Sequence, residues 1–364
     1  MEWTRPEYGR SKIGAAGKIL AGRNQPHGGM SRAQALDIAG NWRSSHGYPL
    51  HVAYCRLRDR VRKNHPEAIV AQRLKRLRSI VGKLQVQPTM QLPNMYDLGG
   101  CRAVVDTLDG VREIVSLYEN KPLRALKIVG KKDYIATPRE DTGYRSMHLV
   151  LEYQSDRESH GVYNGCKVEM QVRTRLQHIW ATAVEIVDTF KNQKLKSGLG
   201  DPEWQSFFRC LAAVLDDFEP PVRRGRELIS YIHAFELSEY LEKLNVINVM
   251  SGIHAALPYT EKPAVAGKQA FILVLDSRGA TTTITGFGIE ETASKEYLRL
   301  EKEHFDDPDV QVVLASAGAV KNLRRAYPNY YLETAELISL LHRVVKRLDE
   351  VHAKYEGMSI EDLA

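Results

Sequence analysis

The sequence predicts an α/β protein. Short β-branched runs such as "GCRAVVDT" (100–107) alternate with longer amphipathic stretches such as "LDGVREIVSLYEN", and neither kind dominates. The 364 residues suffice for two or three domains. At 43% hydrophobic and 26% charged, the composition is that of an ordinary soluble globular protein. No apolar run approaches the ~20 residues of a membrane span. The first residues show no signal-peptide core, so a cytoplasmic protein without a membrane partner is expected.

Taken in order, residues 1–30 are rich in Gly, Arg and Asn, show no period and read as a flexible N-terminus. Ser31 is placed to cap a helix that ends near Arg43. "LHVAYCRLRDRVRKN" and "EAIVAQRLKRLRSIVGKL" read as two helices with basic outer faces. Strand 100–107, the amphipathic helix after it and the strand "RALKIVGKKDYI" follow. "SMHLVLEYQ" and "GCKVEMQVRT" read as neighbouring strands, then "LQHIWATAVEIVDTF" as a helix, with two more near 202–217 and 221–244. Beyond about residue 245 the character changes. "KQAFILVLDS" and "ATTTITGF" read as a hairpin, then a helix near 290–303 and a strand "VQVVLAS". A last helix carries Leu337, Leu340, Leu341, Val344, Leu348 and Val351 on one stripe. With "AALPYTEKPAVAG" (255–267) as linker, the chain divides into a catalytic core of 31–245 and a smaller α/β module of 246–364.

Charge and cysteine usage narrow the function. Formal net charge is +6 with a pI near 9.0. From Arg56 to Lys83 there are ten Lys/Arg against two acids, Asp59 and Glu67. Solvated helix faces mix signs; this one-sided run favours a polyphosphate or nucleic-acid partner. Lys191, Lys194 and Lys196 read equally well as a solvated helix end. The four cysteines form no CxxC pair, so a zinc knuckle is excluded and buried free thiols are expected.

Four segments carry the chemistry. The basic stretch holds Arg73, Lys75 and Lys83. "YDLGGCR" puts Asp97 before a strand and Arg102 on it. The loop "KDYIATPREDTGYRSMH" presents Tyr144, Arg145 and His148. In "VEMQVRT", Glu169, Gln171 and Arg173 alternate on one strand face. Two carboxylates from different strands suit Mg²⁺ completed by substrate phosphates. The surrounding cations suit a polyphosphate, and phosphoryl-type transfer asks for little beyond positioning and charge stabilisation.

"RLK…SIVGKL", "YDLGGCRAVV", "KDYI…P…GYRSMH" and "VEMQVRT…W", in that order, resemble the synthetase domain of the RelA/SpoT family over about 45–245. The resemblance implies a mixed β-sheet flanked by helices and transfer of pyrophosphate from ATP to a 3′-hydroxyl. It implies that Asp97 and Glu169 bind Mg²⁺, with Glu169 also activating the hydroxyl. Arg73 and Arg102 would sandwich adenine, and Lys75 and Lys83 would meet the phosphates. Tyr144 would stack on the acceptor base, with Gly143 bringing the loop close. His148 and Gln171 would support the acceptor, and Arg145 would contact phosphate. The loop 138–144 is one residue longer and more acidic than the usual family pattern, which disfavours GDP or GTP as acceptor. Fusion to a C-terminal module resembles toxin–antitoxin synthetases of the CapRel type. There the module holds the enzyme shut until a phage capsid protein binds, and the active toxin modifies the 3′ CCA end of tRNA. An alarmone synthetase using GDP/GTP, and a non-catalytic RNA-binding protein, are the alternatives. "NLRRAYPNYYLE" (322–333) is the expected interaction surface of the module.

Overall fold

The computed structural model describes residues 3–23, 29–121, 123–190, 195, 200–219, 227–244, 246–247, 250, 270–276, 281–307, 310–315 and 335–354. The expected linker 255–267, Lys191, Lys194, Lys196 and the stretch 322–333 lie outside them. Helices α1 (Arg10–Leu20), α2 (Arg32–Ser45) and α3 (Gly47–Asn64) open the chain. Strand β1 (Ile69–Leu74), helix α4 (Leu77–Val86), strand β2 (Gly99–Val105) and helix α5 (Leu108–Asn120) follow. Next come strands β3 (Leu126–Asp133) and β4 (Met147–Tyr153), the short α6 (Glu158–Gly161), strand β5 (Lys167–Thr174) and helices α7 (Arg175–Phe190), α8 (Pro202–Asp216) and α9 (Glu227–Lys243). The C-terminal part adds β6 (Ala270–Asp276), β7 (Thr281–Phe287), α10 (Glu290–Glu303), β8 (Val310–Ala315) and α11 (Ala335–Lys354). No described helix is long and apolar enough to cross a membrane.

Five strands form one mixed sheet in the order β1-β2-β5-β4-β3, and three form a second in the order β7-β6-β8. In the first sheet β2 and β5 run parallel and the other pairs antiparallel. The period of two gives this sheet two chemically distinct faces. Cys101, Ala103, Leu149, Leu151, Val168, Met170 and Val172 pack into the core formed with α1–α5. The opposite face carries the polar residues, and α7 covers part of it.

Two expectations fail here. The segment 1–30 is not a flexible tail throughout, because α1 buries Ile13, Ala16, Gly17 and Leu20. These positions follow the helical i, i+3, i+4, i+7 spacing. One of its glycines serves close packing: a Cβ on Gly17 would sit 2.7 Å from Leu92 Cβ. The second failure is "EAIVAQRLKRLRSIVGKL", which is half strand. β1 pairs with β2 from Ile69↔Val104 to Leu74↔Gly99, so tertiary pairing overrides the helix propensity of its Arg, Leu and Ala. The other elements lie where expected, Ser31 included. Its side chain accepts from Gln34 N while Gln34 reaches back to the Ser31 amide, a reciprocal cap.

The C-terminal part does not stand apart from the core. Leu337, Leu340, Leu341, Val344 and Leu348 of α11 share one buried cluster with Trp180, Phe207, Phe208 and Leu237. On the other flank α10 docks on α2 and α4. The Arg43 guanidinium lies 4.5 Å from the Tyr297 ring centre, Glu301 accepts from the Leu77 amide at the start of α4, and Lys302 pairs with Asp37.

Candidate active site

A cavity of about 350 Å³ opens on the polar face of the five-stranded sheet. Its lining includes Arg73, Lys75, Asp97, Arg102, Tyr144, His148, Glu169 and Gln171. Register explains the convergence. Arg73 lies opposite Gly100, and Gly100 opposite Glu169. Arg102 lies opposite Gln171, and Gln171 opposite His148. Gly100 places no side chain between Arg73 and Glu169, so the cavity reaches down to the sheet there.

Asp97 sits just before β2. Its Oδ2 accepts from Lys75 Nζ at 3.0 Å and from Lys83 Nζ at 2.8 Å. Its Oδ1 is buried with no hydrogen-bond partner among the described residues. Burial pushes its pKa up, but the charges of Lys75 and Lys83 outweigh that and hold it below the ordinary value. Glu169 is similar. Burial raises its pKa, while hydrogen bonds from His148 and Gln171 bring it below the ordinary value against the repulsion of Asp97. His148 Nδ1 lies 3.1 Å from Glu169 Oε1, and Gln171 Nε2 donates to Oε2 at 2.7 Å.

His148 also meets Tyr144, with the hydroxyl 2.9 Å from Nε2. An ionised Glu169 only accepts, so Nδ1 carries a proton. Burial raises the Tyr144 phenol, which keeps its proton. The ring of Tyr144 is wedged edge-on against Tyr134 and His148 and tilted against Trp180. Gly143 makes this possible. Its φ is +75°, and an added Cβ would meet Ala212 Cβ of α8 at 2.8 Å.

Two expected residues lie elsewhere. Lys83 is not in the lining but touches it through Asp97. Arg145 turns away: it pairs with Asp216 of α8 and lines a separate small cleft with Gln177 and Glu219. It lies outside the lining expected for a phosphate-binding residue, because Asp216 of α8 holds its guanidinium on the far side of the loop. The basic run of α3 is also occupied in part. Arg60 donates to the carbonyls of Leu117 and Lys121 and lies over the Tyr118 ring, and Arg58 pairs with Asp59. Arg60 therefore ties α3 to α5.

The structure adds residues the motif reading passed over. Arg139 and Thr142 of the loop line the cavity, as do Trp180, Ala181, Val184 and Glu185 of α7. Glu185 lies 4.0 Å from Arg73. Trp180 is buried in the core, yet it also forms a wall. Arg173, which the alternation in the sequence groups with Glu169 and Gln171, lines the cavity as well. It donates to His178 Nδ1 at 2.6 Å, and burial, then the charge of Arg173, keep His178 neutral.

Two carboxylates held ionised, one with an unpartnered buried oxygen, inside a ring of Lys and Arg define a site for a polyanion escorted by a cation. Residues 72–194 match the family model described as the region found in RelA / SpoT proteins. Over about a third of its length the chain thus carries the region found in RelA / SpoT proteins. No protein of curated function matches the sequence. Among solved structures, the chain is similar to a GTP pyrophosphokinase family protein from Streptococcus pneumoniae, with 23% identity, TM-score 0.41, and 52% of this chain and 93% of that one covered. It is also similar to small alarmone synthetase 1 from Bacillus subtilis, with 23% identity, TM-score 0.39, and 53% and 94% covered. The same enzyme bound to its product pppGpp matches at 24% identity, TM-score 0.35, with 41% and 73% covered.

Proposed function

We propose that the chain is a pyrophosphokinase of the RelA/SpoT kind, which moves the pyrophosphate of ATP to the 3′-hydroxyl of an acceptor. The observation that carries this reading is that Asp97, with a buried Oδ1 unpartnered among the described residues, lines one cavity with the ionised Glu169. These two residues would hold Mg²⁺, whose chemistry is to neutralise the phosphates as charge develops. Arg73 on β1 and Arg102 on β2 flank the cavity from neighbouring strands and would grip the adenine between planar guanidinium groups. Lys75 would meet the phosphates, and Lys83 keeps Asp97 charged. Glu169 would accept the hydrogen bond of the attacking hydroxyl, with His148 and Gln171 fixing its orientation. Tyr144 would stack on the acceptor base, with its hydroxyl anchored on His148.

The 3′ CCA end of tRNA is our first choice of acceptor, since the loop that carries Tyr144 also presents Glu140 and Asp141 to any acceptor phosphates. One observation favours GDP or GTP instead. Arg139 Nη2 pairs with Asp141 Oδ2 at 2.7 Å, which neutralises one of the two acids. Incubation with γ-labelled ATP, GDP, GTP and deacylated tRNA decides between them. Label in tRNA supports the first acceptor and label in the guanosine nucleotide the second. No label in any of them, with the parent chain and with Glu301→Gln alike, refutes the pyrophosphokinase reading.

The C-terminal part would act as a built-in regulator. Support comes from one line of contact: Tyr297 of α10 stacks on Arg43, and Arg43 Nε donates at 2.6 Å to the carbonyl of Lys75, which holds Asp97. A role in arresting translation during phage infection, with a capsid protein as trigger, follows from the CapRel-type resemblance. Protection of cells carrying the gene against phage, lost in Asp97→Asn, is its test.

A further inference from the structure

Outside the cavity, three metal-ligating side chains converge between α8 and α9. Cys210 lies on α8, and His233 and Glu236 lie three residues apart on α9. Their ligand atoms all fall within 4.8 Å of one another. Cys210 Sγ is 3.2 Å from Glu236 Oε2, and His233 Nδ1 is 3.7 Å from the same oxygen. Donors bonded to one tetrahedral Zn²⁺ at about 2.0–2.3 Å are separated by roughly 3.4–3.6 Å. Two of the three spacings bracket that separation and the Cys210–His233 pair lies within 4.8 Å, so side-chain rotation of about an ångström closes the set around one ion.

Three further observations point the same way. His and Glu at i, i+3 share one helix face, and helical bundles build metal sites from that pair plus a ligand on the facing helix. His233 Nδ1 is shielded from solvent and has no hydrogen-bond partner among the described residues, which is costly for a buried ring nitrogen. Cys210 is 3% exposed. Its thiol donates to Glu236 across the gap between the two helices.

We propose that Cys210, His233 and Glu236 form a zinc site that ties α8 to α9, with the fourth position left to water. Thiolate, imidazole and carboxylate together select Zn²⁺ over the hard cations Mg²⁺ and Ca²⁺. On binding, the S–H bond breaks, the S–Zn bond forms and the proton leaves to solvent. None of the three residues lines the substrate cavity. Arg209 and Ala212 of α8 pack against Gly143, so the metal braces the helix that backs the Tyr144 loop.

The test uses the full chain, freed of metal and titrated with Co²⁺. One equivalent should bind, with thiolate-to-cobalt charge-transfer absorption that Zn²⁺ abolishes by competition. Cys210→Ser should remove that band. His233→Gln, at a half-exposed position that leaves the core intact, should weaken Zn²⁺ binding by at least ~10-fold and remove the rise in Tm that Zn²⁺ gives the parent chain. The second thiol–imidazole pair, Cys55 Sγ and His51 Nε2 at 3.5 Å, is the competing origin of such a band. The proposal fails if the parent chain shows no thiolate band, if Cys55→Ser rather than Cys210→Ser abolishes it, or if His233→Gln binds Zn²⁺ as tightly as the parent.

Discussion

At Asp97 two effects of opposite sign compete, and the outcome sets the charge of the site. Burial favours the neutral acid, while two ammonium groups within 3.0 Å favour the carboxylate and win. The folded pKa is therefore depressed. Its contribution to stability is present above the ordinary carboxylate pKa and is lost as pH falls through the lowered native one. Lys83→Met removes one ammonium and leaves the burial, so the acid limb of the pH–rate profile should move to higher pH. An unmoved limb would show that Asp97 does not control it. Asp97→Asn should reduce Mg²⁺-dependent turnover by more than the ~10–100-fold typical of a residue that only orients a ligand; single-turnover assays at saturating ATP would show it. Tyr144→Ala should raise the acceptor KM by about 5- to 150-fold, the equivalent of ~1–3 kcal/mol of lost base stacking. The KM for ATP should stay near that of the parent.

At the scale of elements, the loop between β3 and β4 depends on one glycine. Gly143 combines a φ of +75° with a 2.8 Å approach to Ala212. Gly143→Ala should therefore cost more than ~1 kcal/mol in denaturant unfolding, and it should lower activity by displacing Tyr144. An alanine tolerated on both counts would mean that α8 does not fix the loop. β1 makes a different point. As a helix, Arg73 and Lys75 would project in directions unrelated to Glu169. As a strand paired with β2, Arg73 lies two strands away from Glu169 in the same row of the sheet.

The molecule as a whole is held by its C-terminal part on two sides. Five apolar residues of α11 complete the cluster that contains Trp180, a wall of the cavity. Leu341→Ala, at a fully buried position, should cost about 2–5 kcal/mol by cavity formation and lower Tm. Cutting the chain near residue 245, or deleting the last helix, should uncover this core and give an aggregating product. Such truncations are therefore poor tests of inhibition. Glu301→Gln at the seam with α4 is a better one. It keeps the shape of the contact and removes the charge at the helix N-terminus, an interaction of ~0.3–2 kcal/mol. A rise in basal transfer with Tm little changed would support regulation through α10.

The sequence by itself determined which residues are candidates for the site. Asp97, Glu169, Tyr144 and His148 were legible because residue type, strand alternation and motif order are local properties, and all four line one cavity. Most element positions were legible for the same reason. What only the tertiary structure decided was long-range. A Leu- and Arg-rich stretch became β1 because β2 offered it a ladder. Gly-rich α1 is a packed helix because Leu92 demands a near approach. Arg145 faces Asp216, and α11 belongs to the core, because partners dozens of residues distant in the chain supplied the opposing charge and the apolar surface. Local propensity cannot register a partner that folding alone brings near.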